Sequence, residues 1–214
     1  MKAIAINGSP RKDWNTAIML QNALDGAASV GAETMLVHLY DLDFKGCTSC
    51  FACKRKDSTC KGLCAQRDAL RDVLAEALAA DALVMGSPIY FGDVTGEMRS
   101  FLERLMFPNI TYNEFGKSVA AKPVNCGFIF TMNCPEQFMV NAHYDILFEN
   151  HSRLMGILKG KTEIVASYET LQFTDYSKMD AAMIDGAARA KRREEQFPVD
   201  CRNAFEMGAR LVRS

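Results

Sequence analysis

This chain lacks the features that would place it in several large functional classes. Its 25 Lys and Arg residues balance 26 Asp and Glu, for a net charge of −1. No basic excess is present to drive binding to nucleic acid or to an anionic membrane. No apolar run approaches the ~18–20 residues that a spanning helix needs. Met1-Lys2 is followed by only four apolar residues before Asn7, which is no secretory signal. The expectation is a cytoplasmic protein with no membrane or nucleic-acid partner. In that compartment the eight cysteines are not read as a disulfide framework. There is no internal repeat, no low-complexity tract and no Gly/Ser linker. Neither G-x-G-x-x-G nor a Walker loop occurs. His38, His143 and His151 stand alone, each read as a packing or surface group. No Ser/His/Asp set and no pair of carboxylates converges on one loop.

What is present is an ordinary globular composition, 49% hydrophobic and 24% charged over 214 residues, enough for a sizeable core. The expectation is a single domain over 1–214. Short apolar runs at Ala3–Ile6, Thr34–Leu39, Ala82–Met85, Val124–Phe130 and Glu163–Ala166 suit parallel strands covered on both faces. Helical patterns lie between them at Thr16–Ala28, Asp68–Ala79, Thr95–Met106 and Phe138–Leu158, the last with Ala142, Ile146, Leu147 and Leu154 inward. A final helix is placed from Asp200, burying Ala204, Phe205, Leu211 and Val212. Alternating strand and helix predicts right-handed crossovers and a five-stranded parallel sheet of order 2-1-3-4-5. Two segments exceed this minimal α/β plan, 108–122 and 170–198. They are candidates for subunit contacts or a lid, with surface decoration the alternative. The basic run Arg189–Arg193 is read as a solvated helix face.

The first sixteen residues carry the strongest signal. A short strand runs into Asn7-Gly8-Ser9-Pro10-Arg11-Lys12, and Asn15-Thr16 opens an amphipathic helix. The first N–H groups of a helix have no intrahelical partner, and its dipole favours an anion there. Ser9 and Thr16 add hydroxyl donors, and Arg11 adds a planar fork suited to phosphate. The third strand ends in Gly86-Ser87-Pro88-Ile89-Tyr90-Phe91-Gly92, and the fourth in Thr131-Met132-Asn133. On the expected topology both ends lie beside the phosphate cradle. A cradle with an aromatic, backbone-rich rim describes a site for a mononucleotide with a large planar ring.

Taken together, Asn7–Lys12 with Asn15-Thr16, followed by Gly86–Gly92, resemble the flavodoxin-like NAD(P)H-dependent FMN reductases over about residues 1–135. That resemblance implies a flavodoxin-like three-layer sandwich and FMN, with its phosphate on Ser9, Arg11, Asn15 and Thr16. It implies an isoalloxazine ring held by Pro88, Ile89, Tyr90, Phe91 and Gly92, with Thr131, Met132 and Asn133 opposite. It further implies electron transfer from NAD(P)H to a small acceptor such as a quinone, a nitro or azo compound, or a flavin. A homodimer or homotetramer is implied as well, with Leu171–Tyr176 long enough to reach a neighbour's site. Trp14 departs from the small residue usual there and is placed at the surface, with cover over the ring or ribityl chain as the alternative.

Five cysteines fall within 47–64: Cys47, Cys50, Cys53, Cys60 and Cys64. The x2 spacing of the first three lets successive thiolates reach one small cluster, and suits zinc poorly. The run is similar to that of the iron–sulfur flavoproteins of the same superfamily. That resemblance implies a [4Fe–4S] cluster on Cys47, Cys50, Cys53 and Cys60, with Cys64 an alternative fourth ligand. It would make the chain an electron carrier without nicotinamide turnover. Related FMN reductases have clustered cysteines here without a cluster, so free or redox-active thiols stay open. Cys126 is read as a buried hydrophobe. Cys134 is placed at the flavin rim. Cys201 is placed in the first turn of the last helix, where a thiolate would be favoured.

Overall fold

The structure is a computed structural model and describes residues 1–114 and 116–213. Phe115, inside the expected 108–122 insertion, and Ser214, the last residue of the expected 1–214 domain, lie outside the described residues. The strands are β1 (Lys2–Asn7), β2 (Glu33–His38), β3 (Ala82–Pro88), β4 (Val124–Thr131) and β5 (Lys159–Ser167). They form one sheet of order β2-β1-β3-β4-β5 with every neighbouring pair parallel, as expected. The helices are α1 (Asn15–Ala28), α2 (Leu70–Ala79), α3 (Gly96–Met106), α4 (Tyr144–Met155), α5 (Gly186–Glu195) and α6 (Phe197–Arg213).

Alternation along β1 sorts the two faces, because successive strand side chains point to opposite sides. Ala3 and Ala5 face the layer of α1 and α6. Ile4 and Ile6 face the opposite layer, with Leu74 of α2, Phe101 of α3 and Leu147 of α4. Small residues on the first side let α1 and α6 lie close. A Cβ on Gly26 would sit 1.9 Å from the Phe205 carbonyl oxygen, and one on Gly208 would sit 1.8 Å from that of Ala23. The two helices therefore touch backbone to backbone. Met207, not Phe205, is the fully buried residue at this crossing.

Three helix expectations need correction. The helix expected from Phe138 begins at Tyr144, because His143 adopts a left-handed φ of 58° that a continuous helix cannot contain. A short 3₁₀ turn, Glu136–Phe138, precedes it, and Ile146 is half exposed. The segment 170–198 is not a plain loop, since it contains all of α5. That helix buries no residue and so has no apolar stripe to read, but Asp185 caps it by accepting from the Ala188 N–H at 3.0 Å. The last helix begins at Phe197, which puts Cys201 beyond its first turn. Burial pushes the Cys201 thiol up to about 11, which opposes a thiolate there. Cys126 is fully buried as expected, and burial pushes its thiol up to about 12.

His151 packs edge-on against Phe128 and Phe130 and is 4% exposed. Its Nδ1 lies 2.9 Å from the Leu147 carbonyl oxygen, so Nδ1 carries the proton, and Nε2 has no hydrogen-bond partner. Burial holds its pKa below the ordinary value of 6.5. The unfolded chain thus binds a proton before the folded one does, and stability falls as pH drops below about 6.5. Urea midpoints measured from pH 8 to pH 5 should show this loss, and His151→Leu should flatten it. Gly208→Ala should destabilise the fold by at least ~1–3 kcal/mol through overpacking, seen as a lower urea midpoint at an unchanged slope.

Candidate functional site

The carboxyl ends of β1, β3 and β4 meet at one edge of the sheet. The β1–α1 loop is tied to β3 by a hydrogen bond of 2.8 Å from the Gly8 N–H to the Gly86 carbonyl oxygen. Thr95, the N-cap of α3, donates its hydroxyl to the Gly8 carbonyl oxygen at 2.6 Å, and its own N–H donates to Ser87 Oγ at 3.0 Å. Asn7 Oδ1 accepts the Ser9 N–H at 2.9 Å and Ser9 Oγ accepts the Arg11 N–H at 3.1 Å, so the loop curls toward the start of α1. His38 supports Asn7 from β2, with its Nδ1 2.9 Å from Asn7 Nδ2. The Thr16 and Thr131 hydroxyls are 2.8 Å apart, joining α1 to the end of β4. No side chain caps the N-terminus of α1. Its first amides and dipole are therefore directed at the cleft.

The cleft is lined by Ser9, Arg11, Asn15, Thr16, Pro88, Ile89, Tyr90, Thr131, Met132 and Asn133, and it adds Trp14, Thr170, Leu171 and Gln172. Two expected residues do not line it. Phe91 and Gly92 form the tip of a tight turn in which the Tyr90 N–H donates to the Asp93 carbonyl oxygen at 2.8 Å and the Asp93 N–H donates back at 3.1 Å. Their φ values of 50° and 84° are those of a turn with two left-handed central residues. This geometry carries Phe91 away from the cleft and leaves it fully exposed.

Trp14 is half-buried rather than superficial, and its Nε1 donates to the Leu171 carbonyl oxygen at 2.9 Å. Asn15 Nδ2 donates to the same oxygen at 2.9 Å, and Arg11 Nη1 donates to the Gln172 carbonyl oxygen at 2.6 Å. Leu171 and Gln172 are thus tied to their own chain's cleft. The basic run on α5 also turns inward, so the solvated-face reading fails. Arg189 donates to Asn133 Oδ1 at 3.1 Å and pairs with Glu169. Arg192 donates to the buried Asp200 at 3.1 Å. Arg193 donates to Asn15 Oδ1 at 2.5 Å and lies 3.9 Å over the Phe197 ring, and burial lowers its pKa. The spacing of 189, 192 and 193 puts all three on one helix face, which is the sequence signal that could have revealed this contact. Cys134 is half-buried but does not line the cleft. Burial, with Glu169 adding, raises its thiol.

A second constellation lies at the other end of α3. Cys47, Cys50, Cys53 and Cys64 wall one small cavity, together with Arg104 and Phe107. The Cys53 thiol is raised by burial, lowered by Lys54, and raised again by the neighbouring Cys64 and Cys50 thiols. Lys54 anchors this loop by donating to the Phe107 and Ile110 carbonyl oxygens. Cys60 does not reach the cavity. A turn closed by the Leu63 N–H on the Cys60 carbonyl oxygen at 3.2 Å, with Gly62 at φ 77°, separates the half-buried Cys60 from the buried Cys64. Among the described residues no three His, Cys, Asp or Glu side chains close on a single-ion site. Four thiols spread around a cavity suit a multi-iron cluster, in which each thiolate takes its own iron. No helix among the described residues is long and apolar enough to cross a membrane.

Residues 1–133 match the family described as NADPH-dependent FMN reductase, and the chain belongs to that family. FMN is accordingly its cofactor. An iron–sulfur flavoprotein of Archaeoglobus fulgidus is 40% identical over 104 residues, covering 49% of this chain and 48% of that protein. One from Methanocaldococcus jannaschii is 35% identical over 104 residues, covering 49% and 51%. The chain spans about half the length of the curated relatives it matches. Among solved structures, an NAD(P)H:quinone oxidoreductase from Methanothermobacter marburgensis aligns with a TM-score of 0.68 at 16% identity, over 99% of this chain and 98% of that one. An azoreductase from Bacillus anthracis gives 0.67 at 12% identity, over 98% and 99%. These likenesses establish the flavodoxin-like fold.

Charge-assisted hydrogen bonds are worth ~1.5–3 kcal/mol, and each ~1.4 kcal/mol is tenfold in affinity. Arg11→Ala should weaken FMN binding by about one to two powers of ten in a fluorescence titration. Riboflavin, which lacks the phosphate, should bind the parent protein poorly. Equal affinity for the two flavins would refute a phosphate cradle.

Proposed function

We propose that this chain is an FMN oxidoreductase that takes electrons from NADH or NADPH. It passes them to a small oxidised acceptor such as a quinone, a nitro or azo compound, or a free flavin. The observation that carries the reading is the cleft itself. The start of α1, which no side chain caps, lines one cleft with Ser9, Thr16 and the Pro88-Ile89-Tyr90 rim, and the side-chain N–H groups of Arg11, Trp14 and Asn15 hold the Leu171 and Gln172 carbonyls beside it.

FMN, when bound, supplies the chemistry by accepting hydride from the nicotinamide and releasing electrons to the acceptor. The protein's part is placement. Ser9, Arg11, Asn15 and Thr16 would hold the phosphate at the α1 N-terminus. Pro88, Ile89 and Tyr90, with Thr131, Met132 and Asn133 opposite, would hold the ring. Phe91 and Gly92 drop out of the ring set, and Trp14 joins the phosphate side. No side-chain acid or base is needed for hydride transfer, so none is assigned. The reading includes a single domain over 1–214 and a homodimer or homotetramer. The fully exposed Phe91 beside the cleft is an apolar group that a neighbouring subunit would cover.

A second reading is favoured by the thiol cavity: the chain also holds a [4Fe–4S] cluster on cysteines of the 47–64 loop and acts as an electron carrier. The two readings separate on one experiment. FMN-loaded protein mixed anaerobically with NADH or NADPH should lose its flavin absorbance rapidly, then turn over with added quinone in ping-pong kinetics. Protein that stays oxidised with both nicotinamides, yet accepts electrons from reduced ferredoxin, would reject the reductase and favour the carrier.

A further inference from the structure

The family match ends at residue 133, and α5 lies wholly beyond it. None of its residues lines the cleft, yet one of them reaches a residue that does. Arg193 is half-buried, with its guanidinium 3.9 Å from the Phe197 ring centroid. From there Nη1 donates to Asn15 Oδ1 at 2.5 Å. Asn15 is 6% exposed, opens α1 and lines the cleft. Its Nδ2 donates to the Leu171 carbonyl oxygen at 2.9 Å.

A side-chain amide has an acceptor end and a donor end. Held between a guanidinium and a carbonyl, the Asn15 amide satisfies both in one orientation only. Its oxygen is then taken up by Arg193, and its nitrogen keeps a second hydrogen beyond the one given to Leu171. Reversed, it would set nitrogen against the guanidinium and oxygen against the Leu171 carbonyl. An anion at a helix start needs donors, and a free acceptor oxygen repels it. Trp14 belongs to the same arrangement. The guanidinium carbons of Arg11 and Arg193 lie 5.7 and 5.9 Å from its ring centroid, within cation–π range. Its Nε1 shares the Leu171 carbonyl with Asn15.

We infer that Arg193 is a positioning residue of the FMN site, which fixes the Asn15 amide with its nitrogen available to the phosphate. This role rests on the proposed seat of the phosphate at the start of α1. The effect of Arg193 is therefore confined to flavins that carry a phosphate, and it passes through Asn15. A guanidinium acting through charge alone would not need Asn15. One that only tied α5 to α1 would favour neither flavin.

The test is a fluorescence titration of the flavin-stripped full chain with FMN and with riboflavin. Arg193→Met keeps an unbranched apolar chain against Phe197 and removes every donor. It should weaken FMN binding by about tenfold and leave riboflavin affinity at the parent value. In an Asn15→Ala background the same substitution should change FMN affinity by less than about twofold. Urea midpoints check folding. If Arg193→Met does not fold, Arg193→Lys takes its place, because lysine keeps the charge but not the planar fork. It should show the same selective loss at about threefold. An equal loss for both flavins, or no loss for FMN, would overturn the inference. An undiminished loss for FMN in the Asn15→Ala background would overturn it as well. A parent that binds both flavins equally would overturn the phosphate cradle itself, and the role of Arg193 with it.

Discussion

The structure depends first on how closely the ends of β1 and β3 can approach. The Gly8 N–H meets the Gly86 carbonyl oxygen, and Thr95 ties the Gly8 carbonyl to the start of α3. Neither glycine has room for a side chain. A Cβ on Gly8 would lie 2.8 Å from the Met98 Cβ, and one on Gly86 would lie 2.9 Å from Leu20 and Thr16 side-chain atoms. This contact brings the N-termini of α1 and α3 to the same edge. It also leaves the Pro88–Tyr90 rim facing Ser9 and Thr16. Each hydrogen bond is worth only ~0.5–1.5 kcal/mol net, but together they fix two loops that would otherwise move independently.

Around that junction the cleft is finished by arginines rather than by apolar packing. Arg193 reaches Asn15 on α1, Arg189 reaches Asn133 after β4, and Arg192 reaches Asp200 on α6. One short helix with no buried residue thereby holds three elements that meet at the site. Asp200 in turn accepts from Ser167 at 2.5 Å, linking α5 to the end of β5. The same device recurs at the far end of α3, where Arg104 gathers Lys45, Gln66, Asp68 and Cys64 around a cysteine loop with little apolar content. Planar, always-charged guanidinium groups suit this task because they bind several oxygens at fixed angles.

Much of the architecture was legible before the structure. The central strands β1, β3 and β4 are short runs buried on both faces, as a doubly covered parallel sheet requires, while the edge strands β2 and β5 are only partly buried. The apolar positions of α1 and α3 recur at helical spacing, and Met19, Leu20, Ala23, Phe101 and Leu105 are buried as that spacing requires. Ten of the expected flavin residues line one cleft because loops after parallel strands gather at one edge. Helix α5 was illegible because its signal is charge, which single-sequence reading assigns to solvent. The false start at Phe138 arose because a left-handed residue, His143, leaves no mark on periodicity. Phe91 resembled a ring contact because its place in the turn, not its chemistry, decides where it points.

The amino-acid sequence by itself determined the strand and helix order, the β1–α1 anion cradle and the concentration of cysteines before α2. Those are local properties, set by side-chain periodicity and by residue types within a few positions of each other. The tertiary structure alone decided which cysteines share a cavity, that Trp14 and the Arg189–Arg193 run turn inward, and that Leu171 and Gln172 are tied to their own chain's cleft. Each of these rests on partners far away in sequence, such as Arg104 with Cys64 and Asn15 with Arg193. Such contacts come into being only when the crossovers bring distant segments together: the spacing of 189, 192 and 193 puts those arginines on one face, but Asn133 and Asn15, which Arg189 and Arg193 reach, lie far away in sequence.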